Sequence, residues 1–469
     1  MRAVDAAGLT NKSLSAAALA EEILQRERSL LSTATMAKVA LGTQFIPELG
    51  KALYEHPDDA HSNAPGPLAR GVGRLVRAFR THPHHEIHVI TTNYDDYLEQ
   101  ALKAEGVKRV KPQFTNTGMR DPRDFGVRHA HGLLLPTGKS QGTVVLTEAD
   151  YYTTDSSSWQ EQFFRDRLSD SFVLFVGASL TDLNLLRILF RYASEPGRLH
   201  AVLPRSPDET RSPDVLEPRN AIASAHDTLG LRRWRSRGLN VLFADHYSQP
   251  SQFVFEVAQR KLDGNAYVPY GDRLDAWYRQ VATSTLGLRS QKAFATAQSE
   301  VRERSRTFLE QVIPSTGLAM RRGEVLALHT WVRVPGDLRI GPIKRGPVNV
   351  DSLAMLMCSD REWRDPRAAD SKVVMMPTAR AAVEAFCFGT PRIHEQATAA
   401  HQWNFVLAVP VALDQPDGRL PVGAVTINSN LAGGRSCLAR LRSSNWEGFT
   451  ALAQYLQEWG AAILNPTLA

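Results

Sequence analysis

At 469 residues the chain is longer than one domain usually runs, so two or three domains are expected. Hydrophobic residues make up 43% and charged residues 22%, the balance of a folded globular protein rather than a disordered one, and no apolar run approaches the roughly 18–20 residues that cross a bilayer. The formal charge of +6 comes from scattered Lys and Arg whose two clusters, at 232–237 and 302–306, read as solvated helix faces before phosphate contacts, so nucleic acid is not an expected partner.

The first 80 residues carry helical periodicity: at 14–24, again from Met36 to Tyr54 through Val39, Phe45, Ile46, Leu49 and Leu53, and in a third helix where Leu68, Val72, Leu75, Val76 and Phe79 share a face. From Ile87 the pattern becomes strands alternating with helices. Strands are predicted at 87–91, 126–130, 143–146, 172–176, 199–203 and 239–244, with helices at 159–168, 180–192 and 253–262. Continuous apolar strands such as 172–176 read as buried on both faces, which favours a parallel sheet with helices on each side. Thr147-Glu-Ala-Asp150 resembles a capping box with Asp in the last place.

A Gly/Pro/Asn-containing break at 263–271 opens a helical stretch at 274–312. Strands then follow at 325–334, 405–413 and 421–429, around a helix at 378–386 and before one at 446–464; the last two strands read as an antiparallel hairpin. The expected organisation is therefore a Rossmann-like α/β domain over 1–262, a linker with helices over 263–323, and an α+β domain over 324–469.

Three loops at strand ends hold polar residues. In an open α/β sheet ligands bind at such ends. The first is Thr91-Thr92-Asn93-Tyr94-Asp95, where Asn93 and Asp95 either face a ligand or cap the following helix. The second is His129-Ala130-His131-Gly132, a strand delivering a histidine before a residue that allows a tight turn. The third is Gly177-Ala178-Ser179 with Asp182 after it, suited to bringing backbone N–H groups to a phosphate at a helix N-terminus. Histidines also gather at 82, 84, 85, 88, 129 and 131, but no carboxylate completes a metal-ligand pattern with them. The three cysteines, Cys358, Cys387 and Cys437, form neither a zinc motif nor a disulfide framework, so no metal is expected.

In this order and spacing the three loops resemble the sirtuin-like family, and more narrowly the sirtuin-like NAD hydrolases of bacterial antiphage defence, over roughly 1–262. The resemblance implies that Asn93 and His131 are catalytic and that Thr92, Asn93, Asp95, Gly177, Ala178, Ser179 and Asp182 bind NAD. NAD is then the substrate and no resident cofactor is implied. Asn93 would hold the carboxamide or the water, Asp95 the nicotinamide end, and His131 would relay a proton. Deacylating sirtuins carry a four-cysteine zinc module, whereas no cysteine precedes Cys358, so protein deacylation is not expected.

The segment 6–10 resembles the stretch that the family places after its first strand and glycine-rich phosphate loop. Neither is visible ahead of it, which raises the expectation of a start placed too far downstream, or of a truncation. Residues 324–469 resemble a GAF-like domain, implying a small-molecule or nucleotide activator or a dimerisation surface, and hence a homo-oligomer. Trp403, Cys387 and His394 would lie near such a pocket or in the core. With no apolar secretory segment at the N-terminus, a cytoplasmic location and no membrane partner are expected. The competing reading is a module that binds NAD or ADP-ribose without turnover.

Overall fold

Alternating short apolar strands and amphipathic helices should bury a sheet between helical layers. The computed structural model describes residues 29–465 except 55–64, 81–85, 120, 122, 154–157, 179, 193–196, 205–216, 245–247, 282–290, 335–351, 360–372, 375–380, 396–402, 416–417, 432 and 440–445. The expected helix at 14–24, the segment 6–10, His82, His84, His85 and Ser179 lie outside the described residues. The chain divides into two compact units, one of Met1–His56, Val72–Leu203 and Gly230–Leu242, the other of Pro57–Gly71, Pro204–Leu229 and Phe243–Ala469.

The first unit begins with α1 (Leu30–Leu41), whose N-cap Ser29 accepts the Ser32 N–H, and α2 (Phe45–Tyr54). The helix α3 (Pro67–Arg80) opens on proline, which loses nothing at a first helical position. A parallel sheet follows, built from β1 (Val89–Thr91), β2 (Val110–Gln113) and β3 (Phe125–His129) in the order β1-β3-β2, with α4 (Tyr97–Ala104) between the first two strands. Val76, Val89, Leu102, Val110, Phe125 and Val127 form the core on one face. Arg128, one residue on, points to the opposite face and lies 4.5 Å over the ring of Phe163. That ring belongs to α6 (Trp159–Asp170), reached through the hairpin β4 (Leu133–Leu134) and β5 (Ser140–Gln141) and the short α5 (Glu148–Thr153). Helices therefore cover both faces of this sheet.

A second three-stranded sheet, order β6-β7-β8, takes β6 (Val173–Val176), β7 (Leu199–Pro204) and β8 (Leu239–Ala244), with α7 (Leu183–Tyr192) and α8 (Glu217–Arg235) as connections. β6 and β7 are parallel. Among the described residues the strands of the α/β region thus fall into two three-stranded sheets and the β4–β5 hairpin rather than one sheet. The strand expected at 143–146 is irregular instead: Val145 spends its N–H on the His131 carbonyl at 3.2 Å, and its side chain is buried. At the next helix, Asp150 does accept the Thr147 N–H, at 2.8 Å.

The second unit contains α9 (Ser248–Asp263), α10 (Tyr270–Val281) and α11 (Gln291–Ser315). Then come β9 (Leu326–Val334), β10 (Ser352–Cys358), β11 (Val373–Val374), α12 (Ala381–Phe388), β12 (Arg392–Glu395), β13 (Phe405–Gln415), β14 (Gly418–Ser429) and α13 (Trp446–Leu464). The strands form one antiparallel sheet in the order β11-β10-β9-β14-β13-β12. Alternation splits the side chains of β14: Val425 and Ile427 join Trp277, Tyr278, Phe449 and Leu452 of the helices, while Ala424 meets Val383 and Phe386 of α12 on the other face. Cys387 and Cys437 are buried in these cores and form no disulfide, His394 lies 2.8 Å from the Glu384 carboxylate, and the Trp403 ring meets His329 edge-on. No helix of the described residues is long and apolar enough to cross a membrane.

Candidate functional site

Because β1 and β3 are parallel neighbours, with Thr91 opposite His129, the loops leaving their carboxyl ends emerge side by side. They are stitched together by Ala130 N–H to Thr91 O at 2.8 Å and Leu134 N–H to Tyr94 O at 2.7 Å. The turn after β3 depends on Gly132: its φ is +81°, and a Cβ there would stand 2.7 Å from the Thr143 carbonyl oxygen. That close approach carries the chain back beneath His131 and leaves the ring only 7% exposed.

Three groups surround the imidazole. The ring of Tyr94 is 6.1 Å away and that of Tyr151, from α5, 5.7 Å. Asp182 Oδ2 lies 3.4 Å from His131 Nε2. Burial pushes the His131 pKa below its usual value, only partly opposed by Asp182 and by a hydrogen bond to the Thr92 backbone. Asp182 is itself fixed from two sides: Oδ1 accepts the Leu185 N–H at 2.7 Å, capping α7, and Oδ2 accepts the Tyr151 hydroxyl at 2.5 Å. The Tyr94 hydroxyl donates to the Val145 carbonyl at 2.6 Å, and burial raises the pKa of both tyrosines.

Thr92, His131 and Asp182 converge on one cleft, whose walls also include Gln160, Asn184 and Arg187 beside the apolar Val145, Phe164, Leu185 and Ile188. Gln160 is anchored by donating to the Ala130 carbonyl at 3.0 Å, and Arg187 by donating to Glu161 Oε2 at 3.1 Å. Asn93 is exposed beside Thr92, its backbone N–H turned to Thr91 Oγ1 at 3.0 Å, and is not one of the cleft walls. Asp95 Oδ1 accepts the Tyr97 N–H at 3.1 Å, which fastens the residue to the start of the following helix. Behind this loop His129 Nε2 meets Glu99 Oε1 at 2.7 Å, both side chains buried.

After β6, Gly177 takes a φ of +68° and is exposed, Ala178 is half-buried, and Leu180 is buried with a φ of +52°. Neither Gly177 nor Ala178 is a cleft wall, and Ser179 lies outside the described residues. Pattern reading passed over Tyr94, Tyr151, Gln160 and Arg187. Tyr94 stands inside the first polar loop and was within reach of it, whereas the other three sit in ordinary helical sequence and carry no local signal.

Parallel strands ending at such a cleft are the setting in which a nucleotide site is sought. Residues 87–224 match the SIR2-like domain. No curated protein matches the chain. The SIR2-like match begins at Ile87, two residues before β1, and runs into α8, so every candidate residue from Thr92 to Asp182 lies inside it. A SIR2-like domain implies NAD binding and is consistent with NAD-dependent enzyme activity in general. The antiparallel sheet of the second unit lies outside the match.

Proposed function

We propose that the SIR2-like domain hydrolyses NAD at the nicotinamide–ribose bond, giving ADP-ribose and nicotinamide. The observation that carries this reading is the nearly buried His131, held against Asp182 in a cleft at the carboxyl ends of parallel strands. In the reaction, water adds to C1′ as the glycosidic bond breaks. The bond's electron pair passes to the pyridinium nitrogen, which leaves as neutral nicotinamide, and the water's proton passes to a base. A histidine whose pKa is lowered by burial is neutral at physiological pH and suits that task. The cleft walls Thr92, Gln160, Asn184 and Arg187 offer hydroxyl, amide and cationic groups to the ribose and phosphates. Asn93, beside Thr92, supplies an amide for the carboxamide of nicotinamide or for the attacking water.

The wider reading is a cytoplasmic antiphage effector that depletes NAD. In it residues 324–469 form a GAF-like sensor that binds a small-molecule or nucleotide activator and supports a homo-oligomer. Incubation of the full chain with NAD, with and without candidate cyclic nucleotides, tests it through chromatography of the products. Asn93→Ala and His131→Ala should each cost about 10²–10⁴ in turnover, and unchanged turnover in both would sink the site assignment. A second reading, binding of NAD or ADP-ribose without turnover, is favoured by one observation: Asp95 Oδ1 is taken up by the Tyr97 N–H at the start of α4. Tight binding without product in the same incubation would establish it.

A further inference from the structure

One oxygen joins three side chains in this cleft. Asp182 Oδ2 faces His131 Nε2 at 3.4 Å and takes the Tyr151 hydroxyl at 2.5 Å, while Oδ1 of the same carboxylate is fastened to the Leu185 N–H at 2.7 Å. We propose that Asp182 and Tyr151 are positioning residues for His131, with Asp182 fixing the imidazole and Tyr151 limiting how much of the carboxylate's charge the imidazole feels. The proposal rests on the hydrolase reading for its role in turnover, but not for the coupling among the three side chains.

An imidazolium has two N–H groups to satisfy, and the acceptors around His131 are the Asp182 carboxylate and the Thr92 backbone. Both favour the protonated ring, and burial opposes it. The ring is therefore neutral at rest, yet has acceptors in place when a proton arrives. The other titratable or charged groups facing it are Tyr94 and Tyr151, which donate hydrogen bonds, and Arg187 on α7, whose guanidinium is held by Glu161. Asp182 is thus the carboxylate that acts on His131, and Tyr151 shares the same oxygen.

Sharing that oxygen gives the two residues opposite effects. Asp182→Asn retains an amide oxygen to cap α7 but removes the charge, so the imidazolium loses its partner and His131 should titrate at lower pH. Tyr151→Phe removes a competing donor from Oδ2, so the carboxylate acts more fully on the ring and His131 should titrate at higher pH.

The test follows the His131 ring by NMR in the full chain with labelled histidine, its signal assigned among the fourteen histidines by its loss in His131→Gln. The same variants are assayed for NAD hydrolysis across pH. Asp182→Asn should lower the His131 midpoint by about 1 in pH, Tyr151→Phe should raise it, and the acid limb of turnover should move the same way in each. A midpoint that stays put in Asp182→Asn, or moves in the same direction in both variants, overturns the proposal. Should Asp182→Asn fail to fold, Tyr151→Phe decides alone: an unmoved or lowered midpoint refutes it. Opposite shifts without turnover in wild type would keep the coupling and reject the hydrolase; turnover with unmoved midpoints would do the reverse.

Discussion

The Asp95 carboxylate accepts the Tyr97 N–H at 3.1 Å and so fastens the loop after β1 to the first turn of α4. Burial pushes its pKa up, against the Tyr97 hydrogen bond and the nearby His129. The folded protein therefore holds this proton more tightly than the unfolded chain. The group's favourable contribution is complete below about pH 3.9 and is lost as pH rises through the raised value. Asp95→Asn keeps an acceptor for Tyr97 without the charge. Melting temperatures of the pair, followed from about pH 4 to 7, should shift progressively in the variant's favour as pH rises; a constant difference would refute the assignment.

The pair of His129 and Glu99 is buried, and among the described residues His129 Nδ1 and Glu99 Oε2 find no hydrogen-bond partner. Removing one member strands the other. Glu99→Ala should cost about 3–5 kcal/mol in urea unfolding, and replacing both residues with leucine should cost less than that single change. If the double replacement proves the worse of the two, the pair is holding the loop by something other than the contact between its two members.

Gly132 and Gly106 share a φ of +81° but differ in surroundings: a Cβ at Gly132 meets the Thr143 backbone at 2.7 Å, and one at Gly106 meets nothing within 4 Å. Gly106→Ala should therefore show backbone strain alone, about 1 kcal/mol. Gly132→Ala should cost about 1–3 kcal/mol more and displace His131. Equal losses in thermal melts would show that the close approach is unimportant.

In the second unit the Glu324 carboxylate accepts Ser429 Oγ at 2.7 Å, Ser436 Oγ at 2.8 Å, Cys437 N–H at 3.0 Å and Arg321 N–H at 3.0 Å. Burial alone would raise its pKa, but these donors outweigh it and hold it below the usual value. The stabilisation is present above the unfolded value of about 4.3 and is lost as pH falls through the depressed one. Glu324→Gln should cost about 1.5–3 kcal/mol at neutral pH. Wild type and variant should converge in acid, which stability measured at pH 7 and near pH 3 checks.

Periodicity carried much of the secondary structure. The helix Trp446–Leu464 and the strand Leu239–Ala244 have the predicted limits because long amphipathic or continuous apolar runs leave little choice. Ser352–Cys358, rich in Ala, Leu and Met, has no strand signature and becomes β10 by pairing with β9. The β-branched run at 143–146 fails for the opposite reason, since the Val145 N–H is taken by His131.

The chain's local chemistry by itself determined that small polar loops follow β1, β3 and β6 and that His131 precedes a glycine the backbone requires; the helix expected from Leu180 begins instead at Leu183, with Asp182 as its cap. Only the tertiary structure decided which side chains meet. Tyr151 and Asp182, thirty-one residues apart, share an oxygen beside His131 because α5 packs where α7 starts. Backbone periods encode the ends of elements, but the distance between two ends depends on packing that no local pattern records.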